Sequence, residues 1–175
     1  MGKGIKMFNT AAAMALVFGS AWFMLVPEPT EVPKKTLTAS YMTDVHNKNR
    51  DFLDKSAFDV SYQSQPTHFY GLRYGASAMV NAQGTYTLGP GIGKTIDVKG
   101  MDMTLFIYPS YSSIHGDDRI RALSGHVNFK TTFDVMYRLN AKTKWGIGLM
   151  HISNGGYKSP NHGLDAVRLT FGQNF

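Results

Sequence analysis

The sequence predicts an all-β protein, an eight-stranded antiparallel transmembrane β-barrel of the bacterial outer membrane. Three observations lead there. Beyond Leu37 apolar and polar residues alternate with a period of two, and no helical period competes with it. The N-terminus carries an export signal, a basic stretch followed by an apolar run. The last eleven residues, 165–175, match the about 9–11 residues that a tilted strand needs to cross a bilayer, and they end on an aromatic, Phe175.

The export segment comes first in the chain. Lys3 and Lys6 precede an uncharged, mostly apolar run over 10–26, so residues 1–26 are a signal peptide or an uncleaved N-terminal apolar segment. Gly19 and Ala21 are small enough for a cleavage site. Pro27, Pro29 and Pro33 then make 27–36 an extended linker, because proline cannot continue a helix. The barrel domain is expected over 37–175.

Within that domain the expected strands are 37–44, 56–64, 68–77, 79–88, 101–110, 124–139, 142–153 and 164–175, with 91–99 as a substitute for one of the earlier ones. The clearest is 126–139, where Val127, Phe129, Thr131, Phe133, Val135, Tyr137 and Leu139 share one face. Asn128, Lys130, Thr132, Asp134, Met136 and Arg138 share the other. A soluble barrel would bury the first face, whereas a membrane barrel would turn it to lipid and fill its interior with the second. Period alone does not choose. The export signal, the strand lengths and Phe175, which resembles the assembly signal of outer-membrane barrels, favour the membrane and imply recognition by the outer-membrane assembly machinery. Lys130, Asp134, Arg138 and Arg168 are then expected as lumenal ion pairs. Gly89-Pro90-Gly91, 110–121 and 154–163 read as loops.

Composition narrows the function. The chain has 175 residues, no cysteine and a formal charge of +6. The absence of cysteine excludes a disulfide framework and thiolate metal sites. Mean hydropathy of −0.20 excludes a bundle of membrane helices and leaves a barrel open. The basic residues are scattered, not striped, which argues against nucleic acid as a partner and suits anionic lipid head groups. His68, His115, His126 and His162 match no common ligand spacing. Asp117-Asp118 lacks the rest of a calcium loop. Gly89 to Lys94 lacks the spacing of a phosphate loop and reads as a turn. No metal and no cofactor is expected.

Chemistry concentrates in the last hairpin. Residues 151–156 read HISNGG and 160–165 read PNHGLD. His151 and Ser153, two apart on a strand, project from one face. Serine is a weak nucleophile until a base takes its proton, and imidazole is the usual base. A carboxylate must fix the tautomer of that base, and Asp165 at the start of the next strand is the candidate. If His151 lies opposite Asp165, then Leu149 faces Val167, Ile147 faces Leu169 and Trp145 faces Phe171. All six are apolar, so the three polar residues stand at one end of a lipid-facing wall. Short turns of bacterial barrels are periplasmic and long loops external. With Asn140-Ala141 as the periplasmic turn, the polar trio reaches the outer leaflet, where lipopolysaccharide lies.

The H-I-S-N-G-G run, followed by P-N-H-G and an acid, resembles the active-site signature of the lipid A 3-O-deacylase family. The similarity continues through Pro109, Leu123-Ser124-Gly125, Phe129, Tyr137-Arg138 and Trp145-Gly146, and spans roughly 70–175. The family is an eight-stranded outer-membrane barrel that hydrolyses the 3-position acyl ester of lipid A. The resemblance implies His151 as base, Ser153 as nucleophile and Asp165 as the acid of a catalytic triad. It puts Asn154, Gly156 and Asn161 where the family forms or supports its oxyanion hole. Family members often carry Glu where this chain has Asp165. The implied partners are lipid A and the surrounding outer-membrane lipids. A phospholipase-like acyl hydrolase and a non-catalytic structural or adhesive barrel are the competing readings.

Overall fold

The computed structural model describes residues 35–44, 56–82, 84–113, 125–159, 161 and 163–175. The expected export segment, the expected linker up to Lys34, and His115, Asp117, Asp118, Pro160 and His162 lie outside them. The described residues form eight strands: β1 (Thr36–Asp44), β2 (Ala57–Gln63), β3 (Arg73–Asn81), β4 (Tyr86–Val98), β5 (Met101–Ser113), β6 (Val127–Arg138), β7 (Thr143–Ser153) and β8 (Leu164–Asn174). Each pairs antiparallel with its neighbours in sequence, and β1 pairs with β8 to close the barrel. Closure leaves none of the eight described strands as a free sheet edge.

The barrel resolves the ambiguity of the alternation, because its apolar face points outward. Leu37, Phe58, Val60, Leu88, Ile147, Leu149, Leu169 and Phe171 are all exposed. Asp59, Arg73, Lys130, Asp134, Lys144 and Arg168 are each at most 3% exposed. A water-soluble barrel with that distribution would offer a continuous apolar belt to solvent. A lipid-facing wall needs it. Aromatics gather at both rims of the belt, Tyr62, Tyr74, Tyr137, Trp145 and Phe175 near the start of β1 and the end of β8, and Phe58, Tyr86, Tyr111 and Phe129 at the other end.

Inside, charge is matched by charge. Lys130 lies 2.6 Å from Asp59, and Arg168 bridges Asp59 at 3.3 Å and Asp134 at 3.1 Å. Ser77 donates to Asp59 at 2.7 Å and Thr170 to Asp134 at 2.9 Å. A second group, at the end where β1 starts and β8 finishes, joins Asp102 to Lys144 at 2.8 Å and to Arg138, which also reaches Asp97 at 2.5 Å. Buried ions survive only when paired, and every ion of both groups stands within 3.3 Å of an opposite charge. Lys130, Asp134, Arg138 and Arg168 are therefore the lumenal pairs that the alternation leads one to expect.

The early strands differ from expectation. The segment 68–77 is not one strand. Thr67 N donates to Leu72 O at 2.8 Å and Leu72 N to Phe69 O at 3.1 Å, closing a turn that holds Tyr70 at φ 52° and Gly71 at φ 65°. Nor does a strand run through 79–88. Gly84 at φ 81° reverses the chain, and the Asn81 side chain accepts from Thr85 N at 2.9 Å. Gly89-Pro90-Gly91 is not a turn but the middle of β4. Gly91 and Gly93 of this strand make room for rings inside the barrel. A Cβ on Gly91 would stand 2.3 Å from the Tyr108 ring, and one on Gly93 would stand 2.4 Å from Phe106. Those two rings stack at 5.4 Å and fill the lumen. Glycine in a strand here marks close approach, not reversal.

Candidate active site

The site forms where β7 and β8 leave the barrel wall, at the end remote from the start of β1 and the end of β8. The β7–β8 ladder pairs Trp145 with Phe171, Ile147 with Leu169, Leu149 with Val167 and His151 with Asp165. Period two then puts His151, Ser153 and Asp165 outward, at the top of a column of exposed apolar side chains. On the other flank of β7, β6 sets Thr131 beside His151 and Phe129 beside Ser153.

His151 and Asp165 are brought into contact. Nδ1 of His151 lies 2.9 Å from Oδ1 of Asp165, with the imidazole side chain 32% and the carboxylate 56% exposed. The acid accepts, so Nδ1 carries the hydrogen and Nε2 holds the free lone pair. Asp165 is one methylene shorter than Glu, yet it reaches the ring, because the two residues are direct partners in the ladder. Ser153 is half-buried and follows His151 by two positions on the same face; its Oγ makes no hydrogen bond among the described residues. Catalytic hydrogen bonds are often long in a free enzyme and tighten with substrate.

The loop after Ser153 is built by the three remaining candidates. Asn154 is fully buried. Its side-chain oxygen accepts from Gly156 N at 2.8 Å, its side-chain nitrogen donates to Lys158 O at 2.9 Å, and its own N–H donates to Asn161 Oδ1 at 3.1 Å. Gly155 and Gly156 take φ 67° and 85°, conformations that glycine adopts without strain. Tyr157 then donates to Val127 O at 2.5 Å and ties the loop to β6. The N–H groups of Asn154 and Gly156 are thus engaged within the loop. Asn161 is exposed, and with its oxygen turned to Asn154 its side-chain nitrogen is the donor left over among the described residues.

Two neighbours escaped the sequence reading as site residues. Phe129 packs its ring against Gly155, where a Cβ would stand 3.2 Å away. Gly163 lies against the His151 ring. The ladder register was enough to find Phe129; a glycine on an unpaired loop end gives no signal of its own.

The family model for the lipid A 3-O-deacylase (PagL) matches residues 55–174. The crystal structure of the outer membrane enzyme PagL superposes with a TM-score of 0.57 at 14% identity, covering 78% of this chain and 97% of that one. A de novo designed transmembrane β-barrel superposes with a TM-score of 0.53 at 11% identity, covering 83% and 98%. At such identities the likeness is one of fold. A comparison with curated proteins gives no match.

Proposed function

The chain belongs to the lipid A 3-O-deacylase family, and on that premise we propose that it is an outer-membrane esterase that removes the 3-position, ester-linked 3-hydroxyacyl chain of lipid A. The observation that carries the reading is the His151–Asp165 pair, 2.9 Å apart on the outward face, with Ser153 beside it. A histidine oriented by a carboxylate on a wall that faces lipid has little structural purpose there, since an ionised group on that wall is costly. Beside a serine it has a chemical one.

The chemistry follows. Ser153 Oγ attacks the acyl carbonyl carbon as its proton passes to His151 Nε2. Asp165 holds the tautomer and steadies the imidazolium. The side-chain nitrogen of Asn161 donates to the oxyanion, while Asn154 and Gly156 keep the loop in shape around it. The intermediate collapses, the bond from the acyl carbon to the sugar oxygen breaks, and His151 returns the proton to that oxygen. Water, deprotonated by the same histidine, attacks the acyl-serine carbonyl, the bond from the acyl carbon to Ser153 Oγ breaks as His151 returns the proton to Oγ, and a 3-hydroxy fatty acid leaves. The apolar column below the site, Leu149, Ile147, Val167 and Leu169, lies along the path of an acyl chain that stays in the bilayer. With the turns 99–100 and 139–142 facing the periplasm, the site meets the outer leaflet.

The test is purified protein in detergent, incubated with lipid A, with products read by mass spectrometry. Loss of one 3-hydroxyacyl group by the wild type and none by Ser153→Ala is the expected result. Equal deacylation by Ser153→Ala would end the triad assignment, and release from phospholipid in preference to lipid A would move the substrate class.

A further inference from the structure

Gly163 stands where the β7–β8 ladder would next place a residue opposite Ser153, one step beyond the final pair Ile152–Leu164. It takes φ 66°, and a Cβ built on it would lie 2.9 Å from Cε1 and 3.7 Å from Nε2 of His151. The first separation is closer than real side-chain carbons come, and the obstacle is the edge of the ring that must act as base. The imidazole thus has two neighbours on adjoining edges, the Asp165 carboxylate bonded at Nδ1 and, beside Cε1, the space that a side chain on residue 163 would fill.

We propose that Gly163 is a positioning residue, whose missing side chain gives the His151 ring its seat and keeps Nε2 open toward Ser153. The proposal rests on the esterase reading above. The glycine meets two demands at once. The loop must return in a left-handed conformation to rejoin β8 at Leu164, and its last residue must pass the catalytic ring without a Cβ. Asparagine tolerates the first demand and fails the second. A side chain at this place has to displace the imidazole from the position it holds against Asp165. A displacement of about 1 Å in a catalytic group can cost ~100-fold in rate.

The experiment compares Gly163→Asn with Gly100→Asn. Gly100 has φ 84° and nothing within 4 Å of its would-be Cβ, so it reports backbone strain alone. Both are assayed on lipid A after heat-modifiable migration shows a closed barrel, and both are labelled at histidine Cε1 with carbon-13. The His151 resonance is assigned by His151→Gln. We expect Gly163→Asn to lower kcat by ~100-fold with KM unchanged and to move the His151 Cε1 resonance, with Gly100→Asn matching the wild type in both. Wild-type kcat in Gly163→Asn would overturn the proposal. So would a lower kcat with the His151 resonance unmoved. The wild type supplies a check that needs no variant to fold, a nuclear Overhauser contact between His151 Hε1 and Gly163 Hα, and its absence would also overturn the proposal. No turnover by the wild type itself would strike the esterase reading, and is seen before any variant is compared.

Discussion

His151 and Asp165 are direct cross-strand partners, and their side chains meet at 2.9 Å on the outward face of the β7–β8 hairpin. The ladder alone sets this geometry. A shift of one residue would send one of the two into the lumen. Asp165→Asn keeps shape and removes charge, and the amide can present its nitrogen to Nδ1 and stabilise the wrong tautomer. Loss of the acid costs roughly 10⁴-fold in a buried serine triad. Asp165 is half exposed, so water replaces part of its effect, and we expect ~100-fold in kcat with the barrel intact. Asp165→Glu should keep measurable turnover. Rates of 3-hydroxy fatty acid release, measured beside Ser153→Ala, decide it; a wild-type rate for Asp165→Asn would remove the acid from the mechanism.

The hairpin that carries this pair was legible because each of its residues speaks twice. Trp145, Ile147, Leu149, Val167, Leu169 and Phe171 mark one face by hydrophobicity, and the polar trio fixes their register by chemistry. Strand β6 was equally plain, since Lys130 and Asp134 fall on the face opposite Phe129 and Phe133. The region 64–98 was not legible. Gly89, Gly91 and Gly93 carry no side chain to show which face they occupy, and what they make room for, Pro109 and Ser110 at Gly89, the Tyr108 ring at Gly91 and the Phe106 ring at Gly93, is set by a strand that comes later in the chain. The Asn81–Thr85 turn lacks the usual two-residue hairpin signal, so the period of two appeared to run through it. Gly163 was hidden for a similar reason, because what it does depends on a ring twelve residues earlier that only the fold brings alongside.

Asn161 is expected to supply the oxyanion donor. Its oxygen accepts from Asn154 N at 3.1 Å, which orients the side-chain nitrogen outward. Asn161→Ala should lower kcat by about 10²–10³-fold, the usual effect of deleting one such donor. Asn161→Asp keeps the acceptor and substitutes a charge that repels an oxyanion, so it should be at least as slow. If Asn161→Asp and the wild type turn over equally, the oxyanion is held elsewhere.

Lys130 tests the barrel interior. It bonds Asp59 at 2.6 Å and also donates to Ser77. Lys130→Met leaves Asp59 buried with Arg168 alone, 3.3 Å away. Removing one member of a buried pair costs about 3–5 kcal/mol, and the remaining arginine puts the expected loss near the lower figure. The double variant Lys130→Met with Asp59→Leu should recover part of it, because it leaves no lone carboxylate. Urea titration of the barrel refolded in lipid vesicles measures both. A double variant less stable than Lys130→Met would mean that Asp59 is held by Arg168 and not by the lysine.

Ile147 tests where the outer wall sits. It lies near the middle of β7 between Val135 and Leu169, points outward and is 63% exposed. In a water-soluble barrel an arginine at so exposed a place would change stability by no more than about 0.5 kcal/mol. In a bilayer the same substitution puts a guanidinium near the midplane, which costs about 2–4 kcal/mol. The penalty should depend on depth. Tyr137→Arg, at the aromatic rim close to the 139–142 turn, should cost ~1 kcal/mol or less, since a long cationic side chain there reaches the head groups. Folding each variant into vesicles and titrating with urea gives the two numbers side by side. We expect Ile147→Arg to be the costlier by ~2 kcal/mol, with the wild type migrating as a heat-modifiable band and fractionating with outer membranes. Equal and negligible penalties, or recovery of the folded chain from the soluble periplasm without detergent, would contradict a lipid-facing wall and with it the position of His151, Ser153 and Asp165 at the membrane surface.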